Sequence, residues 1–400
     1  MAGNYGWAIV AAMLVVQTVS SGLGFYNMSV YMAEFAVALD RPLADMSLAV
    51  SAFFVTGGVC GIFVARLLDR FDVRWIMIVG TLVAAAALGA MGAITQVWQV
   101  YALFVLFGAG NTCVSLVIAT TLITRWFPGP NRSIALSIAS TGLSLGGVTL
   151  TPLSAYLFNS NGVFVTMPWL GLAFALLILP VAFFVVRLPD DAAPEQQAVA
   201  ADDAWRYGDA VRTRFFILLA AGYVLCMGSQ VGGIAHLYGR VSALGGFEAA
   251  SLAVQTLSVC SILGRFAGGV IVTRLSIRTF TLGCLALQVL GLGLLGYAAT
   301  TWQAVLGAAV FGVSVGNLLM SQPLWLAEAF PGAVYPRVFA MANALSVAGV
   351  ALGPYVMGLT VDHLDYLSAF LVAAVLAVLA GIVFAGAGLR PALPGTNAAD

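Results

Sequence analysis

One arginine stands inside an apolar run of roughly twenty residues, a length that suits a membrane span. It is Arg265, in the stretch "SVCSILGRFAGG". A guanidinium keeps its charge at physiological pH, and its planar fork of N–H donors matches a carboxylate. Ser261 and Ser258 lie four and seven residues before it, on the same helix face. The pattern predicts an anion site in which Arg265 supplies the charge and the two serines supply hydroxyl groups.

The surroundings of this arginine are set by the composition. Hydrophobic residues make up 62% of the chain and charged residues 8%, whereas a soluble domain has about half and about a quarter. Long unbroken apolar runs favour membrane helices over the alternating strands of a barrel. We therefore predict an all-α membrane protein. Twelve transmembrane helices are expected, near residues 7–28, 47–66, 75–94, 100–122, 134–158, 167–187, 214–240, 251–272, 280–298, 303–327, 338–360 and 367–389.

The orientation follows from the arginines, because the chain contains no lysine. Arginines on one side of the membrane fall in alternate loops or at their edges: positions 66, 70, 74, 125, 132, 187, 206, 212, 214, 274, 278, 337 and 390. Arg41 and Arg240 fall on the other side. The positive-inside rule makes the arginine-rich side cytoplasmic. We expect both termini in the cytoplasm of a multi-pass protein in the cell (inner) membrane.

The chain divides into two similar parts. A polar stretch predicts a cytoplasmic linker at 188–213, between six-helix bundles at 1–187 and 214–400. With an offset of about 204 residues, "ARLLDRFDVR" (65–74) matches "GVIVTRLSIR" (269–278). "WFPGPNR" (126–132) likewise matches "AFPGAVYPR" (329–337). Two pseudo-symmetric six-helix bundles are typical of a secondary transporter whose site lies between them.

These features carry a family resemblance. "ARLLDRFDVR" resembles the cytoplasmic signature of the major facilitator superfamily, with Ala65 and Asp72 in place of its two glycines. "RWFPGPNRSIALSIASTGLSLGGVTLTPL" (125–153), "YGW" (5–7) and "GRFAGG" resemble the monocarboxylate and oxalate/formate exchanger branch. The resemblance implies a major facilitator fold, alternating access and a span-eight arginine that holds the substrate carboxylate.

The sequence also departs from this branch. Many relatives carry an acidic residue one turn before the arginine and a lysine in span one, where this chain has Ser261 and, by approximate alignment, Tyr26. The dicarboxylate exchangers add a cation in span eleven, and residues 338–359 contain none. The familiar proton relay is therefore in doubt, and one carboxylate is favoured over two. Symport with a proton, exchange against a counter-anion and uniport all stay open.

Other polar span residues are weaker candidates for the substrate site, because polar groups also join neighbouring helices. They are Tyr26, Asn27, Asn111, Ser115, Ser140, Ser144, Asn317 and Ser321. The cytoplasmic charges form a second group, which we expect to act in gating: Asp69, Arg70, Arg74, Arg274 and Arg278. Positive-inside anchoring is the alternative for these arginines, but it does not explain Asp69.

Rival interpretations remain. Arg265 could snorkel or donate to carbonyls in a helix break, and the chain would then export or facilitate a neutral or drug-like solute. A dicarboxylate exchanger is a further alternative. An enzyme would need nucleophiles, carboxylates or metal ligands within the spans, and the five cysteines and two histidines are scattered. We expect a monomer in the lipid bilayer with a small organic anion as substrate, and with no cofactor, metal or nucleic acid.

Overall fold

The computed structural model describes residues 2–68, 70–127, 131–187, 206–330, 334–388 and 390–391, and these residues form helices joined by turns. In the first part of the chain the helices are Ala2–Ser20, Ser21–Tyr26, Met28–Ala38, Leu43–Leu67, Val73–Ala90, Met91–Ala93, Val97–Thr112, Leu116–Trp126, Arg132–Asn161, Val163–Pro180 and Val181–Val185. In the second part they are Tyr207–Arg212, Arg214–Ile271, Ile277–Tyr297, Thr301–Ala329, Tyr335–His363 and Tyr366–Ala387.

Within these ranges, eleven helices are long and apolar enough to cross a membrane, and one of them contains two spans. Arg214–Ile271 is 58 residues long, but Gly245 and Gly246 within it have non-helical backbone angles. Gly246 has a φ of 74°, a conformation that glycine adopts without steric cost. The chain reverses there, between span seven (214–244) and span eight (247–271). The protein is a multi-pass integral membrane protein, and the prediction of twelve spans is confirmed.

Span one is longer than predicted. It runs through the π-helical segment Ser21–Tyr26 and continues as the helix Met28–Ala38. The polar residues near position 27 suggested an end, but Asn27 donates hydrogen bonds to Ser154 Oγ (2.8 Å) and Tyr31 Oη (3.1 Å). Because these side chains pair the amide nitrogen, the chain can stay buried beyond Asn27, although its Oδ1 has no hydrogen-bond partner among the described residues. Glu34, expected in a loop, therefore lies on a helix.

The last residues of the predicted linker, 206–213, contain a short helix. Residues 188–205 lie outside the described part of the chain, but Tyr207–Arg212 forms a short helix. Ala210 on this helix is fully buried and belongs to the apolar core of the following spans. The expectation of a wholly solvated linker was therefore wrong for its last residues, where apolar side chains occur every three to four positions.

The apolar core shows how the two halves meet. One cluster runs through spans one to six and continues into the parts of spans seven to twelve that lie near the loops with few arginines. A separate cluster fills the other end of spans seven to twelve, beside the arginine-rich loops. The halves thus share one core at the arginine-poor face and have separate cores at the arginine-rich face.

Hydrogen bonds also join the two halves toward the arginine-poor face. The Asp362 carboxylate, at the end of span eleven, accepts hydrogen bonds from the backbone N–H groups of Leu43 (3.0 Å) and Ala44 (2.6 Å) in the first turn of span two. A carboxylate is favourable at a helix N-terminus, where unpaired N–H groups and the helix dipole meet. Deeper in the membrane, Ser51 donates to the carbonyl of Ala351. The arginine-poor face is closed in this structure.

Candidate functional site

Arg265 lies between the two halves of the protein. It precedes Ile271, the end of span eight, by six residues, or about 9 Å at 1.5 Å per residue. Its Nη1 donates to the backbone carbonyl of Ser140 in span five, at 3.4 Å. Its Nε is buried and has no hydrogen-bond partner among the described residues. A guanidinium with five N–H donors is therefore left with one long hydrogen bond in a half-buried position.

The seam between spans five and eight places this arginine. The Gln255 amide donates to the Val148 carbonyl at 3.2 Å, and a Cβ built on Gly147 would contact Ser258 Oγ. In each of these pairs, and in the Ser140–Arg265 pair, the two residue numbers add to nearly the same sum. A constant sum is what two antiparallel helices give when they stay in contact along their length. The absence of a side chain at Gly147 lets span five approach both Ser258 and the Tyr26 ring, whose Cγ would lie 2.9 Å from that Cβ.

Two hydroxyl groups occupy the same seam. Ser144 and Ser261 have numbers that add to the same total as Ser140 and Arg265, so they lie at one level, one turn from the arginine. Both are fully buried, and neither Oγ has a hydrogen-bond partner among the described residues. A buried hydroxyl without a partner costs free energy. The seam therefore holds three polar groups with unused hydrogen-bonding capacity.

Span ten supports the arginine from the other side. A Cβ built on Gly316 would lie 2.5 Å from Arg265 Cγ and 2.8 Å from Nε, so the arginine stem lies against the bare backbone of this glycine. The Asn317 amide donates to the carbonyls of Gly264 (3.0 Å) and Val313 (2.9 Å). Asn317 thus joins span ten to span eight beside the arginine.

The fold is that of a transporter family. The family model of the Major Facilitator Superfamily matches residues 14–322 and again residues 243–399. The chain belongs to the major facilitator superfamily. Members of this superfamily are transporters and not enzymes, so the resemblance read from the loop after span two is confirmed.

Curated relatives within the superfamily match parts of the chain. YcxA, an MFS-type transporter of Bacillus subtilis (strain 168), is 26% identical over 233 residues, which cover 54% of this chain and 56% of YcxA. The oxalate:formate antiporter of Oxalobacter formigenes is 30% identical over 112 residues, which cover 28% of this chain and 26% of that protein. The matches thus span about half and about a quarter of these relatives.

Solved structures match over nearly the whole chain. The nucleoside transporter NupG has a TM-score of 0.76 at 14% identity, covering 95% of this chain and 98% of NupG. A bacterial homolog of the human lysosomal transporter Spinster, inward-facing and occupied, has a TM-score of 0.74 at 14% identity, covering 96% and 97%. At this level of identity the likeness shows the major facilitator fold.

Several predicted site residues lie in packing contacts within one half of this transporter. Asn27 is bound to Ser154 and Tyr31, as described above. The Asn111 side chain accepts a hydrogen bond from Ser20 Oγ at 2.8 Å, which joins spans one and four. Ser321 accepts from Tyr223 Oη at 3.0 Å and donates to the Leu318 carbonyl. Apart from the buried Asn27 Oδ1, which has no hydrogen-bond partner among the described residues, these polar groups are used inside the bundles, and Arg265 is not among their partners.

Among the described residues, the side chains of two further predicted site residues, Tyr26 and Ser115, make no hydrogen bonds between helices of one half. Tyr26 is buried beside Gly147 and meets Phe25 edge to face at 5.2 Å between ring centroids. Ser115 begins the second helix of span four after a break at 113–115, and its buried Oγ has no partner among the described residues. Tyr26 therefore belongs with the seam, and Ser115 marks a separate unpaired hydroxyl.

The candidate gating charges fall into two kinds. Arg74 Nε donates to the Val186 carbonyl at 3.2 Å, and Arg278 Nη2 donates to the Ala385 carbonyl at 2.6 Å. Both contacts lie within one half, at the end of its sixth span. Arg70 and Arg274 are exposed. Asp69 lies outside the described residues, so its role in gating stays a prediction.

Some residues at the interface were absent from the sequence prediction. Gln255 lies three residues before Ser258 on the stripe that leads to Arg265, so its spacing was the signal that could have found it. Glu34 accepts a hydrogen bond from Tyr238 Oη at 3.3 Å across the two halves. No sequence pattern indicates that contact.

The histidines and cysteines do not change this picture. His236 is fully buried, and its Nε2 lies 2.9 Å from the Pro354 carbonyl, which joins spans seven and eleven. The five cysteines are free thiols. Among the residues that the structure describes, no group of three or more His, Cys, Asp or Glu side chains is placed to hold a metal ion.

Proposed function

We propose that this transporter moves a small organic anion, a monocarboxylate, across the membrane by alternating access, and that Arg265 holds the carboxylate. The observation that carries the proposal is the unsatisfied guanidinium at the seam between the halves. No acidic side chain of the described residues pairs with Arg265, and an uncompensated charge at membrane depth is costly. A carboxylate substrate supplies the missing charge and accepts two parallel hydrogen bonds.

The seam between spans five and eight also offers hydroxyl groups for the anion. Ser144 and Ser261 offer hydroxyl donors one turn from the arginine, toward the closed arginine-poor face. A small anion bound there would pair with the charge and with otherwise unpartnered hydroxyls. The antiporter of Oxalobacter formigenes, whose name gives oxalate and formate as its substrates, is a relative over part of the chain. Because span eleven contributes no cation at 338–359, we favour one carboxylate group over two.

The main alternative is a transporter of a neutral or drug-like solute in which Arg265 is structural. Its contact with Gly316 and its hydrogen bond to Ser140 favour that alternative, because both would help to pack the spans. NupG, a nucleoside transporter, shares the fold. A dicarboxylate exchanger is a third candidate, favoured only by the name of the Oxalobacter relative.

We also propose that the protein lies in the cell (inner) membrane with both termini in the cytoplasm. The arginine-rich face would then be cytoplasmic, and the closed face would be external. Single cysteines at exposed Leu364 and at exposed Ser276, on opposite faces, test the orientation with a membrane-impermeant thiol reagent on intact cells. Labelling at Leu364→Cys alone agrees with the proposal, whereas labelling at Ser276→Cys alone reverses it.

The function is tested with reconstituted protein and a panel of labelled formate, lactate, benzoate and oxalate, with and without a pH gradient. We expect saturable uptake of a monocarboxylate that its amide does not inhibit. Arg265→Ala should abolish it, and Arg265→Lys should weaken or abolish it, because a lysine lacks the two-pronged geometry. Arg214→Ala, which removes an exposed arginine at the start of span seven, is the matched control.

The competing functions give different results. If neutral solutes bind to the wild type and Arg265→Ala misfolds, then the arginine is structural and the anion proposal fails. If oxalate is exchanged against formate and lactate is not carried, then the dicarboxylate alternative replaces the monocarboxylate.

A further inference from the structure

Glu34 and Tyr238 make a contact between the halves at the arginine-poor face. Glu34 lies on the helix Met28–Ala38 that extends span one, and Tyr238 lies near the end of span seven. The tyrosine hydroxyl donates to Glu34 Oε1 at 3.3 Å, across 204 residues of sequence. Tyr238 is 1% exposed, and Glu34 is half-buried. The contact exists only while the two halves are closed together at this face.

The carboxylate has little to balance its charge there. No basic side chain of the described residues is within ion-pairing distance of Glu34. Arg240 lies two residues beyond Tyr238. Its guanidinium donates hydrogen bonds to the carbonyls of Leu295, Gly296 and Ala298 at the end of span nine instead. The one hydrogen bond from Tyr238 is neutral and longer than the usual distance for a charged acceptor.

The other titratable or charged groups on the packed segments do not contact Glu34. On the turn into span two these groups are Asp40, Arg41 and Asp45, and near the end of span eleven they are Asp362, His363 and Asp365. Tyr156 lies near the end of span five and Glu248 at the start of span eight. On span seven, His236 faces the Pro354 carbonyl instead. On its own helix, the Tyr31 hydroxyl is bonded to Asn27 and to the Leu23 carbonyl.

We propose that Glu34 is a proton-binding site that couples protonation to closure of the arginine-poor face. In the closed arrangement the carboxyl is half-buried against Tyr238, and in an open arrangement it would face water. Burial disfavours the charged form of a carboxyl group, so the closed state binds the proton more tightly. By linkage, a proton taken up at this face favours closure to the same extent.

Proton binding at Glu34 goes beyond the proposed function, because it adds a coupling ion and the residue that binds it. Arg265 stays with the anion, and the proton binds to a separate carboxyl at the arginine-poor face. The test needs no substrate, so its failure and the failure of the anion proposal are independent.

The test measures the distance between the halves at this face. The five native cysteines are replaced by alanine, and spin labels are attached to Val37→Cys and Leu364→Cys, which are 82% and 71% exposed in the native chain. The full chain is reconstituted in lipid nanodiscs, and distance distributions are recorded by electron spin resonance from about pH 8 to about pH 5, a range that includes the titration of a partly buried carboxyl.

In the wild type we expect the short-distance population to grow as the pH falls. Glu34→Gln keeps an oxygen that can accept from Tyr238, and it should hold the short distance at every pH, with the pH-dependent shift lost. Tyr238→Phe should keep the shift, because the carboxyl still titrates. Asp362→Asn is the control carboxyl, and it should leave the direction of the shift unchanged.

The sign of the effect protects the test from a variant that fails to fold. A misfolded Glu34→Gln variant would not keep the short distance, whereas a folded one should keep it at every pH. A wild-type population that opens in acid, a wild type without pH dependence, or a Glu34→Gln variant that keeps the full shift would each overturn the proposal.

Discussion

Arg74 and Arg278 occupy equivalent places in the two halves. They lie 204 residues apart, and each guanidinium donates to a carbonyl in the last residues of the sixth helix of its half, Val186 and Ala385 respectively. Sequence similarity alone aligned these two arginines. The structure adds that the matched positions make matched contacts, and that both contacts stay within one half.

Substitution of either arginine should loosen the sixth span of its half. For Arg74→Ala and for Arg278→Ala we expect the free energy of unfolding to fall by about 1 kcal/mol. Each change removes a charged hydrogen-bond donor from a carbonyl at a helix end, and solvent partly screens that charge. Thermal unfolding of the detergent-purified variants measures it. Arg214→Ala, which is exposed, should unfold like the wild type, and equal losses in all three variants would contradict the role of these contacts.

Gly316 should control the position of Arg265. In Gly316→Ala the new methyl group would press on the Arg265 stem and on the Ser261 carbonyl oxygen, 2.6 Å from the added Cβ. We expect anion affinity to fall by about tenfold or more, with a smaller loss of stability and the protein still folded. Equilibrium binding of the labelled monocarboxylate measures this change. A guanidinium can donate two parallel hydrogen bonds to a carboxylate only if it is positioned to within about an ångström.

Two other glycines serve as controls for that change. Gly312→Ala would strike the Leu257 backbone on the same pair of spans without touching the arginine. It should lower the unfolding temperature more than Gly316→Ala and affect affinity less. Gly293→Ala, with no atom within 4 Å of the new Cβ, should change neither. If Gly312→Ala reduces affinity as much as Gly316→Ala does, general loosening explains the effect.

The serines should separate into two classes. Ser144→Ala and Ser261→Ala remove buried hydroxyls that have no partner, so stability should be unchanged or slightly higher while anion affinity falls. Ser154→Ala and Ser321→Ala remove hydroxyls that bond other side chains, so stability should fall by about 1 kcal/mol with affinity retained. Unfolding and binding measured on the same preparations distinguish the classes. A uniform response of all four variants would argue against a site at the seam.

Asp362 should help to hold the arginine-poor face closed. Asp362→Ala leaves the N–H groups of Leu43 and Ala44 without their acceptor, so the distance between labels at Val37→Cys and Leu364→Cys should shift toward longer values. The matched control is Asp365→Ala, which removes a cap within one half, where Asp365 Oδ1 accepts from the Ser368 N–H at 2.7 Å. That variant should leave the distance unchanged.

The control also has its own pH signature. The hydrogen bonds from Ser368 hold the pKa of the Asp365 carboxyl below its ordinary value. A carboxyl whose pKa is lowered by folding stabilises the protein above its unfolded pKa and loses that contribution as the pH falls through the lower, folded value. The unfolding temperature should therefore depend less on acid pH in Asp365→Ala than in the wild type. An equal dependence would show that the cap contributes nothing measurable.

The sequence predicted the parts of the molecule that follow from apolar length and from charge. Twelve spans follow from run lengths, and the isolation of Arg265 follows from the lack of acidic residues in the same run. Pairs such as Asn317 and Ser321 could not be assigned, because an amide or hydroxyl at helical spacing serves a helix contact as well as a cavity. Only the partners in space, Gly264 and Tyr223, distinguish these uses.

The contact between Glu34 and Tyr238 could not be predicted at all. It depends on span one continuing beyond Asn27, and that continuation depends on Ser154, 127 residues away, accepting the Asn27 amide. A local reading of "FYNMS" indicates a helix end, because the tertiary partner that satisfies the polar group is distant in sequence. The same reason hid the role of Gln255, whose acceptor is a backbone carbonyl of span five.

The seam between spans five and eight constrains how this chain can vary in length. Because its contacts pair residues whose numbers add to a nearly constant total, one inserted or deleted residue between Ser140 and Val148 would turn the rest of the helix by about 100°. Ser140 would keep its place while Gly147 moved off the line of approach to Ser258. Sequences that share this site should therefore show length changes in the turns around Gly162 and Gly246, and none inside the seam.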